Sequence, residues 1–185
     1  MAKFAHLLSH LLNPVMLALA IFGTHGWLGD IVAGWVGIGV FAVWPGAFML
    51  LRLRRLDQLY PDEREVRGML LLRGAACYGL GLVALYGFGA TTGALASGSV
   101  FVSQTLAIWW INRFWKISIH AAAVSGAICI LLTSLGPGAW PSVICLPAIA
   151  WARLCVGAHT PWQIAAGAAL GLGGSTAIYR GFGLI

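Results

Sequence analysis

Five side chains of this sequence have the types and spacing to handle a phosphate. Arg153 and His159 stand six residues apart in "ARLCVGAHTPWQ", and Lys116, Ser118 and His120 share the short stretch "KISIH". A guanidinium fork matches phosphate oxygens two at a time, and a lysine adds a point charge. A neutral imidazole can attack phosphorus, and a protonated one can hand its proton to the leaving oxygen. Nearby cations balance charge on the equatorial oxygens. This chemistry needs no metal or other cofactor. An arginine at mid-bilayer costs about 2.5–3.5 kcal/mol on insertion scales, so Arg153 calls for something that offsets that cost. The competing reading is packing, with the same residues as polar groups satisfied at helix ends.

The elements that must position these residues are membrane helices. Hydrophobic residues make up 60% of the chain and charged ones only 9%, against about a quarter charged in soluble domains. Apolar runs long enough to cross a bilayer recur at roughly 14–28, 31–51, 69–88, 93–111, 119–136, 139–156 and 162–180. The expectation is all-α: one polytopic integral membrane domain over 1–185, a transmembrane bundle of six or seven spans. Pro141 and Pro147 interrupt the sixth run, and residues 1–13 hold a short amphipathic helix suited to the membrane surface. The opening lacks a small-residue cleavage site, so the first span is expected to stay. The four cysteines form no C-x-x-C pair and read as small buried hydrophobes rather than as a disulfide or zinc framework.

Charge places the candidate residues on one side. With seven spans, nearly all lysines and arginines fall before the first span or after the second, fourth and sixth. The opposite loops are short and carry only Asp30. The positive-inside rule puts the basic face and the N-terminus in the cytoplasm. The net charge of +6 is then loop bias towards anionic lipid, not a sign of nucleic acid. Three segments meet on that face, bringing Arg64 and Arg67, then Arg113 and Lys116, then Arg153. Trp109, Trp110, Trp115, Trp151 and Trp162 gather near it as interfacial anchors.

In these residues the chain resembles the type 2 phosphatidic acid phosphatase (PAP2) superfamily of membrane lipid phosphatases, over roughly residues 50–180. The third motif of that family is S-R, five residues, H, three residues, D; Arg153, His159 and Gln163 keep its spacing, with Ala152 in place of the serine. The second motif is P-S-G-H, and "ISIH" keeps Ser118 two residues before His120. The first, K, six residues, R-P, is replaced by "DQLYPDEREVR", which resembles a divergent form supplying Arg64 and Arg67. The resemblance implies an all-helical PAP2-like bundle that removes phosphate from a membrane lipid or isoprenoid (di)phosphate without metal. His159 would be the nucleophile, forming a phosphohistidine, and His120 the general acid. Gln163 would stand where the family's aspartate orients the nucleophile, and Arg153, Lys116, Ser118, Arg64 and Arg67 would hold phosphate. An integral protein of the bacterial cytoplasmic (inner) membrane is expected. The neutral Gln163 and the broken first motif keep a second expectation open: a catalytically degenerate accessory subunit packed with protein partners in a larger membrane complex.

His6 and His10 are spaced i, i+4, a spacing that suits a metal or haem; with no matching second pair they read as polar positions of the surface helix. His25 reads as a loop residue. Asp57 and Asp62 are the one spaced acidic pair, too few for a two-site magnesium enzyme. Glycine spacings such as "GLGGSTAIYRG" indicate close helix packing.

Overall fold

The computed structural model describes residues 1–47 and 64–185, with Arg64 by its backbone alone. Arg52, Arg54, Arg55, Asp57 and Asp62 lie outside the described residues, as does the side chain of Arg64. Every described element is a helix. In order these are α1 (Ala2–Leu11), α2 (Pro14–Trp27), α3 (Ala33–Val43), α4 (Arg64–Gly87), α5 (Thr92–Asn112) and α6 (Ile119–Leu135). A 3₁₀ segment (Gly136–Ile144), α7 (Cys145–Cys155) and α8 (Pro161–Gly181) follow. The turns of α3 are wide, with bonds of the i→i+5 kind.

Several helices begin by the same local chemistry. The Asn13 side chain accepts the Met16 N–H at 2.9 Å, Ser118 accepts that of Ala121 at 3.3 Å and Thr160 that of Gln163 at 3.3 Å. Each satisfies an amide that the first turn leaves without a partner. Pro14 and Pro161 occupy first helical positions, where a missing N–H costs nothing.

Three stretches are long and apolar enough to cross a membrane: Glu65–Gly87, Thr92–Asn112 and Ile119–Cys155. The pair α1 and α2 adds a fourth if their 42° bend is counted as one broken span. The protein is accordingly an integral membrane protein. Ile119–Cys155 is not one rod. Gly136 has φ +63, a left-handed conformation that ends α6. Val124 and Ile128 share a core cluster with Ile149 and Ala152, so α7 runs back along α6. The interruption comes at Gly136 and in the 3₁₀ segment, which contains Pro141. Pro147 breaks nothing, because it sits in the first turn of α7, where its absent N–H is not needed.

Small residues hold the bundle close. A Cβ on Gly171 would lie 2.1 Å from the Ala122 carbonyl oxygen, and one on Gly167 would lie 2.4 Å from that of Ser118. The α6–α8 seam therefore depends on bare backbone, as in other closely packed membrane helices. Gln104 of α5 braces it, its amide nitrogen donating to the Gly171 carbonyl at 3.0 Å and to Ser175 Oγ at 2.9 Å. Elsewhere Phe22, Phe41, Tyr78 and Phe101 join α2, α3, α4 and α5, with the Phe41 and Tyr78 rings stacked at 5.3 Å.

Three expectations change. His25 is not a loop residue: it lies in the last turn of α2, buried, with Nε2 2.9 Å from Ser97 Oγ, which in turn meets the Tyr179 hydroxyl at 2.8 Å. And α1 does more than float at a surface. Ala5 and Ser9 are buried, Ala5 packs with Val124, Ile149 and Ala152, and the Phe4 ring meets Trp151 at 6.0 Å. All four cysteines are free thiols, and Cys155 is exposed rather than buried.

Candidate functional site

One end of the bundle gathers the start of α4, the α5–α6 link and the α7–α8 link. The other end gathers the α2–α3 and α4–α5 turns, joined by Asp30, whose carboxylate accepts the Ala33 and Thr91 N–H groups, both at 2.8 Å.

The spacing of Arg153 and His159 follows from how α7 stops. The Gly157 N–H bonds the Leu154 carbonyl at 3.0 Å, and the Ala158 N–H bonds the Arg153 carbonyl at 3.1 Å. With Gly157 at φ +65 this is a Schellman ending, in which glycine tolerates the left-handed turn. Arg153 thus closes the last turn of α7, His159 follows the motif directly, and Thr160 begins α8. A helix end, a two-residue reversal and a helix start leave one residue between them, and that residue is His159.

The α5–α6 link is held from two sides. The Arg67 guanidinium donates to the Ile117 carbonyl, and the Ser118 N–H donates to the Gln163 carbonyl at 3.1 Å. Ile117 and Ser118 are buried. Lys116 and His120 are therefore carried on a segment tied to both α4 and α8. His120 itself is buried in the first turn of α6 and hydrogen-bonds the Ser9 backbone of α1.

Arg67, Lys116, His120, Arg153 and His159 line one cavity of about 1370 Å³, above the roughly 300–1,000 Å³ of drug-sized ligand sites. Among the described residues no carboxylate lines it. Arg73 lines it as well, and much of the remaining wall is apolar, with Ile21, Val100, Phe101 and Ile130 from α2, α5 and α6. His159 is part-buried, and neither ring nitrogen has a hydrogen-bond partner of good geometry among the described residues. Burial pushes its pKa down to about 3. Arg153, Arg67 and Lys116 add to this in that order, and the nearby Ile117 carbonyl opposes them weakly. The ring is then neutral at pH 7, and both of its nitrogens are buried.

The other expected residues sit differently. The Gln163 amide oxygen accepts the Thr160 N–H at 3.1 Å, completing a reciprocal capping box, and Gln163 does not line the cavity. Ser118 does not line it either; its hydroxyl caps α6. Arg113 stacks over Trp109, 4.5 Å from the ring centroid, rather than entering the cavity. Arg64 shares the first turn of α4 with Arg67, its side chain outside the described residues. His6 and His10 of α1 do line the cavity, as does Gln104. Sequence reasoning passed over Gln104, yet Ser97, Gln104 and Asn112 are buried polar residues seven and eight apart on an apolar helix. That spacing keeps one face and is a readable signal. Among the described residues, no three His, Cys, Asp or Glu side chains come together as a metal site.

No protein-family model, curated protein or solved structure matches this chain.

Proposed function

We propose that this protein is a membrane lipid phosphatase of the PAP2 kind, removing phosphate from a phospholipid or isoprenoid (di)phosphate. The observation that carries the reading is one cavity lined by Arg67, Arg73, Lys116 and Arg153 together with His120 and His159, and by apolar side chains of α2, α5 and α6. The cations suit an anionic headgroup, and the apolar part of the wall suits the chain attached to it. The His159 lone pair would attack phosphorus as the bond to the leaving oxygen breaks, and His120 would give that oxygen its proton. Water would then cleave the phosphohistidine, with His120 taking a proton from it. On this reading α2 to α8 make a bundle of six or seven spans. The cation-rich end and the N-terminus face the cytoplasm of a bacterial inner membrane.

The test is phosphate release by the detergent-purified protein from lipid monophosphates and isoprenyl diphosphates, with EDTA present. EDTA-resistant turnover that His159→Ala abolishes supports the reading. Turnover unchanged by His159→Ala overturns the phosphohistidine.

A second reading has its own support. Gln163 is engaged in the cap of α8, and among the described residues no carboxylate orients His159 or stabilises its positive charge. A site of that kind binds a phosphate headgroup without turning it over, as an accessory subunit of a membrane complex. Purification in mild detergent separates the two: a stoichiometric partner with no phosphate release from any substrate favours the subunit.

A further inference from the structure

The cavity is a shaft with a charged end. On α6 it is lined by His120, Ala123, Ala127 and Ile130, steps of three and four residues that keep one helix face. Ile130 lies ten residues beyond His120, about 15 Å along the helix at roughly 1.5 Å per residue. On α4 the lining runs from Arg67 to Tyr78, about 16 Å by the same measure. Both helices start at the cation-rich end, so the shaft runs from there into the bundle. The deepest lining residues of α2, α5 and α6 are Ile21, Val100 and Ile130, and these pack in one core cluster with Tyr179. That floor is pinned from below. One turn past it His25 Nε2 lies 2.9 Å from Ser97 Oγ, which meets the Tyr179 hydroxyl at 2.8 Å. Gln104 is a polar residue of the wall, and its amide nitrogen is turned to Gly171 and Ser175 of α8. Arg73 lines the shaft six residues past Arg67; it is exposed, and a stem of that length reaches back towards the charged end.

We propose that this shaft holds the hydrocarbon chain of a lipid whose anionic headgroup sits on the cations, and that Ile21, Val100 and Ile130 set the length of chain it accepts. This deepens the reading above and rests on its placement of the anionic head. The hydrocarbon core of a bilayer is about 30 Å thick, so one leaflet supplies about 15 Å of chain, which matches the depth of the shaft. A lipid entering from one leaflet keeps its chain in apolar surroundings from end to end. A shorter chain leaves a void at the floor and forfeits contacts there, while a longer one must fold back against a packed wall. A fully extended dodecyl chain fits the depth, its C–C bonds of about 1.5 Å running in zigzag.

The experiment is photolabelling of the purified full chain in mild detergent with hexyl and dodecyl phosphate, each carrying a diazirine on its last carbon. Labelled residues are read by mass spectrometry. The dodecyl probe is expected to label around Ile21, Val100 and Ile130, and the hexyl probe nearer the cations, around Ala123 of α6 and Thr105 of α5. Excess unlabelled dodecyl phosphate should suppress both patterns, and dodecanol should not. Ala127→Leu adds bulk just above the floor. It should cut floor labelling by the dodecyl probe about tenfold and leave the hexyl pattern as in wild type. Saturable labelling by both probes at the same residues, or only on outward faces such as Leu80, Val83 and Leu172, overturns the shaft. So does labelling that excess dodecyl phosphate fails to suppress. Undiminished floor labelling in a folded Ala127→Leu protein overturns the floor as the limit on chain length. Where that variant does not fold by circular dichroism, the two probes on wild type decide by themselves. Floor labelling that dodecanol suppresses as well as dodecyl phosphate does overturns the anionic head instead, and with it the reading on which the proposal rests.

Discussion

The Gln163 amide oxygen accepts the Thr160 N–H at 3.1 Å, so this side chain closes the start of α8. Among the described residues the His159 ring just before that cap has no hydrogen-bond partner of good geometry. Gln163→Ala is therefore expected to act on stability. Loss of the reciprocal cap costs about 1 kcal/mol and lowers Tm by a few degrees. Phosphate binding and any turnover should stay within twofold of wild type. A loss of turnover beyond about tenfold at unchanged Tm would mean that Gln163 reaches His159 in the working state. Gln163→Glu keeps the cap and adds a carboxylate at the helix N-terminus, where it suits the dipole.

The ionisation of His159 sets a pH dependence of stability. Folding lowers its pKa from 6.5 to about 3, by burial first and then by Arg153, Arg67 and Lys116. As pH falls below 6.5 the unfolded chain takes up the proton while the folded chain does not. The contribution of this group is thus full above pH 6.5 and is lost progressively as pH falls towards 3. Tm should drop between about pH 7 and pH 5, and His159→Asn should flatten that part of the curve. Equal slopes in the two proteins would show that the ring titrates normally.

The starts of α2, α5, α6 and α8 were legible because the apolar runs at 14–28, 93–111, 119–136 and 162–180 begin within one residue of them. The caps that set two of those starts, Asn13 and Thr160 with Gln163, went unread. The interval from Arg153 to His159 was legible as a spacing, while the Schellman ending that fixes it was not. What was not legible depends on partners far along the chain. His25 finds Ser97 across 72 residues, and nothing near His25 announces it. Apolar membrane helices such as α5 also carry little asymmetry in hydropathy, so its inner face is marked by the spacing of Ser97, Gln104 and Asn112 instead. Gln163 is the instructive case: spacing put it opposite His159, but a capping box is a shorter-range and better-satisfied use of the same amide.

Arg67, Lys116 and Arg153 all act on His159 and line the same cavity, where they would hold a bound anion. Inorganic phosphate should therefore raise Tm in proportion to the logarithm of its concentration above Kd. Arg153→Met removes the guanidinium and keeps an apolar stem of similar length. It should abolish the rise of Tm with phosphate. If Arg153→Met keeps the phosphate response, the guanidinium is not part of the anion site.

The seam between α6 and α8 sets the relative positions of His120 and His159, because His120 opens α6 and His159 stands just before α8. Gly171→Ala would put a methyl 2.1 Å from the Ala122 carbonyl oxygen and from Ser125 Oγ. The carbonyl is backbone, so the helices must separate, at a cost of about 1–3 kcal/mol as for other overpacked interiors. Gly173→Ala is the control: nothing lies within 4 Å of its Cβ, and alanine is the better helix former. The expected result is a lower Tm and a weakened phosphate response for Gly171→Ala, with Gly173→Ala equal to wild type or more stable. A Gly171→Ala protein that loses Tm but binds phosphate normally would show that the site is held by the Arg67 and Ser118 backbone ties rather than by the seam.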